Sequence, residues 1–131
     1  VLAILSAVAI PAFVGVQANA RASAVKNGLV NGVKECVVRA ADMKSTAFSD
    51  AQSFATATAF AGYTLSQVAA SSGNGTVDSC YSALAEADAS SESDFEIVMN
   101  SSTGEVTKTC TNDTAPGCNG DGDTTAEAGT W

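Results

Sequence analysis

The side chains that could do chemistry in this chain are four cysteines and fourteen carboxylates, and the sequence contains no histidine. Without histidine, the Ser-His-Asp and Cys-His arrangements that activate a nucleophile cannot be built. No glycine-rich phosphate-binding motif is present, and the spacing of the acidic residues marks no acid–base pair. The sequence therefore predicts no catalytic residue, no cofactor and no enzymatic activity.

The cysteines, Cys36, Cys80, Cys110 and Cys118, favour disulfides over a metal site. Zinc sites usually contain closely spaced cysteine pairs or histidines, and this chain has neither. An even number of cysteines in a short chain with an export-like apolar segment is typical of an oxidising compartment. Four cysteines allow three pairings, so their number alone does not fix the connectivity.

A short acidic stretch near the end of the chain is a weak calcium candidate. Asn119, Asp121 and Asp123 alternate with glycines, as oxygen ligands alternate in calcium-binding loops. However, Thr124 stands where such loops have glycine, and no glutamate closes the motif. We therefore predict a flexible acidic loop, with Asp121 and Asp123 as the only metal-ligand candidates.

The elements that would position these groups begin with an apolar run over residues 1–17, interrupted only by Ser6, Pro11 and Gly15. The first charged residue is Arg21. A membrane-spanning helix needs about 20 apolar residues, and this run is shorter. A signal peptide is disfavoured because no basic segment precedes the run and no break follows it. We expect that the sequence begins inside an apolar helix, with about ten further apolar residues upstream.

A second helical pattern follows the apolar run without a break. Its spacing places one apolar stripe on a single face, which Val30 and Val37 widen, while Lys26, Lys34 and Arg39 lie mostly away from it. Gly28 and Gly32 stand four residues apart, which either permits close approach of another backbone or reflects chance in a glycine-rich chain. The stripe consists of Val25, Leu29, Val33, Cys36 and Ala40.

Residues 94–110 predict a β-hairpin, because apolar and polar residues alternate on both sides of a turn that ends at Gly104. We expect Phe95, Ile97, Met99 and Val106 to press on the stripe of the helix. Residues 45–93 are harder to interpret: residues 65–70 resemble one or two helical turns, and residues 80–84 a weak strand. The predicted class is α+β, with one long N-terminal helix on a small antiparallel sheet.

The charge is distributed unevenly along the chain. Residues 1–44 carry five basic and two acidic residues, a net charge of +3, whereas residues 45–131 carry one basic and twelve acidic residues, a net charge of −11. A basic rod and an acidic head could attract each other between subunits. Alternatively, the acids simply keep an exposed head soluble. An acidic surface argues against nucleic-acid binding, so no specific nucleic acid is predicted.

The segment Ala9-Ile10-Pro11-Ala12-Phe13, after a run of Leu, Ala, Ile and Val, resembles the N-terminal helix of type IV pilins. The resemblance covers residues 1–45 well and extends loosely to the tail. It implies a structural pilus subunit that polymerises through this helix into an extracellular filament for adhesion, motility or DNA uptake. Related alternatives are a pseudopilin of type II secretion or a small exported binding domain.

The resemblance also implies a division of the chain and a set of partners. Residues 1–22 would form the membrane anchor and filament core, and residues 23–131 the head with the amphipathic half of the helix. The partners would be copies of the same chain, the inner membrane before assembly and the pilus assembly machinery. The expected filament-core residues are Val1, Leu2, Ile4, Leu5, Val8, Ile10, Pro11, Phe13, Val14 and Val16.

Two structural expectations follow from the resemblance. Pilins often close a loop in the tail with a disulfide, so we expect Cys110 to pair with Cys118, which leaves Cys36 for Cys80. In assembled pili the region around the helix proline is commonly unwound. Pro11 lacks a backbone donor, so we expect residues 3–15 to lose regular helical hydrogen bonding within a filament.

Overall fold

The computed structural model describes residues 2–55, 60–67, 79–120 and 127–131, with the side chains of the first helix described from Val16 onward. The first helix, α1, covers Leu2–Ala41. Its 40 residues correspond to a rod of about 60 Å. In this single chain the backbone is helical through Pro11, where we expected a kink or loosening. Unwinding within a filament concerns the assembled state and stays a prediction.

Two short helices and five strands follow α1. A 3₁₀ turn at Phe48–Asp50 precedes helix α2 at Gln52–Ala55. Each strand of the sheet pairs antiparallel with the next strand in the described chain, so the order is β1-β2-β3-β4-β5. The strands are β1 (Tyr63–Ser66), β2 (Ser82–Ala87), β3 (Phe95–Met99), β4 (Val106–Cys110) and β5 (Gly129–Thr130).

The structure agrees with the predicted α+β class and differs in three details of the sheet. The hairpin is confirmed as β3 and β4, with Met99 opposite Val106 next to the turn. The helical interpretation of residues 65–70 is wrong at its start, because Leu65 lies in β1 and pairs with Ala85. Strand β5 was not predicted; it is two residues long and exists because Gly129 and Thr130 pair with the end of β4.

The hydrophobic core lies between α1 and the sheet. Val25, Leu29, Val33 and Cys36 of the predicted stripe are buried, whereas Ala40 is exposed. Cys36 is the last buried residue of α1, so the final turn of the helix extends past the core and leaves Ala40 in solvent. From the sheet, the buried side chains that complete this core are Ala83, Ala85, Phe95 and Ile97.

Candidate functional site

The described residues form no cluster of three or more cysteine or acidic side chains that could hold a metal ion. The calcium candidates Asp121 and Asp123 lie outside the described residues. The surfaces of α1 and the contacts that attach the head to it are therefore the features from which a function can be argued.

Two disulfides attach the head to α1 and close the tail. Cys36 is bonded to Cys80 and Cys110 to Cys118, with Cα–Cα distances of 5.5 and 5.8 Å, which is the predicted pairing. The first bridge spans 44 residues and the second spans 8. In a chain-entropy model the first stabilises the fold by about 4 kcal/mol and the second by about 2.5 kcal/mol. A head with so small a core depends on such bridges.

The tail ring also contacts α1 directly. Lys26 donates a hydrogen bond from Nζ to the carbonyl oxygen of Gly117 at 3.1 Å, and Nζ lies 6.0 Å from the ring centroid of Phe95. We expected Lys26 to point away from the apolar face. Its long stem instead runs along the core edge and brings the charge to the tail ring. Gly117 has φ +88°, a left-handed conformation that suits glycine at this close approach.

One flank of α1 is closed by aromatic rings of the head. The ring of Phe60 packs on Gly28 and the ring of Phe54 on Gly32, and a methyl group at either glycine would overlap these rings. Phe48 stacks on Phe54 with ring centroids 4.9 Å apart. The glycine pair therefore accepts side chains of its own head, where we expected another backbone or chance spacing. We call Gly28, Gly32, Phe54 and Phe60 the closed flank.

Glu35 attaches helix α2 to the closed flank. Its carboxylate accepts hydrogen bonds from the backbone N–H groups of Gln52 and Ser53, at 2.8 and 2.9 Å, and from the Ser53 hydroxyl at 2.8 Å. Burial alone would raise the pKa of Glu35. These hydrogen bonds and the charge of Arg39 outweigh burial and hold the pKa below its usual value of 4.5. Glu35 is thus ionised in the folded chain and fixes the start of α2.

An ion pair marks the position where the head first meets α1. Arg21 Nη2 lies 2.5 Å from Oε1 of the buried Glu92, beside the buried ring of Tyr63. Burial, and then the charge of Glu92, raise the pKa of Tyr63 to about 12, although Arg21 acts in the opposite direction. The adjacent Ala22 is the first buried residue of α1 among those whose side chains are described. The packing of the head on the rod therefore starts at this pair.

The opposite flank of α1 is open. A groove of about 470 Å³ separates α1 from the β3–β4 hairpin. Val106, which we expected to press on the stripe, is 44% exposed in this groove, because it lies at the turn end of β4, beyond the part of the sheet that α1 covers. We call this surface the open groove; it is lined by Val30, Val33, Lys34, Val37, Ile97, Met99, Val106 and Lys108.

The expected filament-core residues lie on the other half of α1. For Leu2 to Val14 the structure describes the helical backbone, Val1 lies outside the described residues, and Val16 is 65% exposed. Over the described part of the chain, no helix combines the length and apolar character needed to cross a membrane.

Sequence reasoning found both disulfides and most of the core, but it missed the closed flank and the Arg21–Glu92 pair. The six-residue spacing of Phe48, Phe54 and Phe60, together with the four-residue spacing of two glycines, was the available signal for the closed flank. Comparison with protein-family models, with curated proteins and with solved structures gave no match.

Proposed function

We propose that this chain is the structural subunit of a filament of the type IV pilus kind, with no catalytic role. The observation that carries the proposal is the uneven use of α1. Buried positions run from Ala22 to Cys36, whereas the helix continues from Ala20 back to Leu2 as an apolar segment. This extension corresponds to about 28 Å of rod. The head of the same chain uses one half of the helix, and the other half remains for neighbouring copies.

The composition of the extension supports a role in assembly. Residues 2–20 contain no charged side chain, and Val16 at the end of the apolar run is 65% exposed. Soluble monomers rarely expose a large continuous apolar surface. Bundling the apolar halves of several copies would remove this surface from water, and each buried leucine or isoleucine would contribute about 1.5–3 kcal/mol.

The head has features that suit the outside of such a filament. It is held by two disulfides, which are typical of an oxidising extracellular environment. Residues 45–131 carry a net charge of −11, which favours solubility. We propose an extracellular filament with an inner-membrane pool before assembly; adhesion, motility and DNA uptake are functions that such a filament could serve.

The test is a charge placed within the apolar half of the helix. In cells that make the protein, Leu5→Asp should abolish filaments seen by electron microscopy, because an aspartate in the bundled core would be buried without a partner. The same variant should keep both disulfides, because the head does not depend on Leu5. Ser23→Asp is the matched control: this position is exposed on α1 beside the head, so filaments should persist. Normal filaments from Leu5→Asp would contradict the proposal.

A further inference from the structure

The C-terminus of α1 presents an exposed apolar side chain on a strained backbone. Lys44 N–H donates to the Arg39 carbonyl at 2.9 Å and Met43 N–H to the Ala40 carbonyl at 3.1 Å. This is a Schellman ending, whose left-handed residue is usually glycine. Here that residue is Met43, with φ +57°. A left-handed conformation is unfavourable for a residue with a Cβ atom, so methionine carries a conformational cost that glycine would avoid.

The side chain of Met43 recovers none of this cost within its own chain. It is 95% exposed, more than any other large hydrophobic residue among the described side chains. A methionine is flexible and polarisable, and it fills irregular apolar cavities well. The strained backbone and the exposure are independent observations, and together they indicate that Met43 contacts something outside its own chain.

The open groove is a surface that an apolar side chain could fill. Six of its eight lining residues are apolar, and the two others, Lys34 and Lys108, are basic. Two grooves brought face to face by a two-fold axis would place lysines against lysines, which disfavours that pairing. The groove therefore suits a different, apolar and acidic surface.

The second copy offers such a surface next to Met43. The preceding residue, Asp42, is exposed, and its carboxylate lies 3.9 Å from Nζ of the equally exposed Lys44, which makes a weak, solvent-screened pair. The rest of the chain beyond residue 44 carries twelve acids and a single lysine. An acidic face with one projecting apolar side chain complements an apolar groove with basic margins.

We propose that Met43 of one copy inserts into the open groove of a second copy, with Asp42 directed toward Lys34 or Lys108 at the margin. The inference rests on the proposed function, because it assumes that copies assemble. Met43 and the groove are separate surfaces of the same chain, so the contact is heterologous. Such a contact repeats from copy to copy instead of closing a dimer, as a filament requires.

The first test uses the full chain in a nonionic detergent that covers its apolar helix half, with self-association measured by sedimentation. Met43→Gly should weaken association at least tenfold, while the thermal unfolding midpoint stays the same or rises because the left-handed position becomes glycine. Met43→Leu, which keeps an apolar side chain, should associate like the original chain. Association that is unchanged by Met43→Gly, or absent from the original chain, would overturn the inference.

A mixing experiment tests the heterologous geometry. Val106→Asp should also lose self-association, because it places a charge in the apolar groove. A mixture of Met43→Gly and Val106→Asp chains retains one intact groove and one intact Met43, so it should form dimers and nothing longer. A mixture that stays monomeric would contradict the proposed contact.

The assembled filament separates this inference from the proposed function. Photo-methionine would label two positions, since the chain contains only Met43 and Met99. In irradiated filaments, Met43 should crosslink to groove residues of a neighbouring copy, and Met43→Leu should remove that crosslink. Filaments whose Met43 crosslinks map elsewhere would overturn the inference and leave the proposed function standing. The absence of filaments from the original chain would instead contradict the proposed function.

Discussion

The two flanks of α1 meet the same head in opposite ways. On the closed flank, Gly28 and Gly32 remove their own side chains and admit the rings of Phe60 and Phe54. On the open groove, Val37 and Val106 keep their side chains and leave an apolar space between them. The closed flank therefore stabilises the fold of one chain. The open groove contributes little to that fold and remains available to a second copy.

The largest expected effect is the removal of a ring from the closed flank. Phe54→Ala should lower the free energy of unfolding by about 3–5 kcal/mol, because Phe54 is buried and its loss leaves a cavity on Gly32. Val106→Ala on the open groove should cost less than about 1 kcal/mol. Urea unfolding of both variants with intact disulfides measures the difference, and equal losses would mean that the two flanks contribute equally to the fold.

A smaller effect is expected from the titration of Tyr63, whose N–H donates to the Phe60 carbonyl at the end of the closed flank. Burial first, and the charge of Glu92 second, raise its pKa from 10.0 to about 12. The folded chain thus holds this proton more tightly than the unfolded chain does. The resulting stability is fully present below pH 10.0 and is lost as the pH rises toward 12. The loss should reach about 2–3 kcal/mol.

The measurement is urea unfolding in steps across this alkaline range. Tyr63→Phe should remove this contribution to the slope, because phenylalanine has no proton to lose, and Tyr81→Phe should keep it. An identical alkaline slope in the Tyr63→Phe variant and the original chain would show that the buried phenol does not titrate as described.

The smallest expected effect is a change of sign at Gly32. In an exposed helix, Gly→Ala stabilises by about 1 kcal/mol. At Gly32 the added methyl group overlaps the Phe54 ring, and overpacking costs about 1–3 kcal/mol. Gly32→Ala should therefore destabilise the chain by about 1 kcal/mol net. The exposed neighbour Asn31 is the control, because Asn31→Ala should stabilise by a few tenths of a kcal/mol, roughly its gain in helix propensity. A more stable Gly32→Ala chain would show that the closed flank is loosely packed.

The sequence by itself determined the parts of the fold that depend on local periodicity. The stripe of Val25, Leu29 and Val33 predicted which face of the helix is buried, because the helical period fixes which residues share a face. Alternation around Gly104 predicted the hairpin, because side chains in strands alternate between two faces. The short separation of Cys110 and Cys118 favoured their pairing and left Cys36 for Cys80.

Only the tertiary structure decided the contacts that join distant segments. Whether Gly28 and Gly32 face a neighbouring backbone or their own Phe60 and Phe54 depends on the path of the loop after α1, which no local period encodes. Likewise, alternation placed Val106 on the inner face of the hairpin, but the extent of α1 over the sheet decided that it is exposed. Burial is a property of what lies opposite a residue, and in this chain the opposing segments are tens of residues apart.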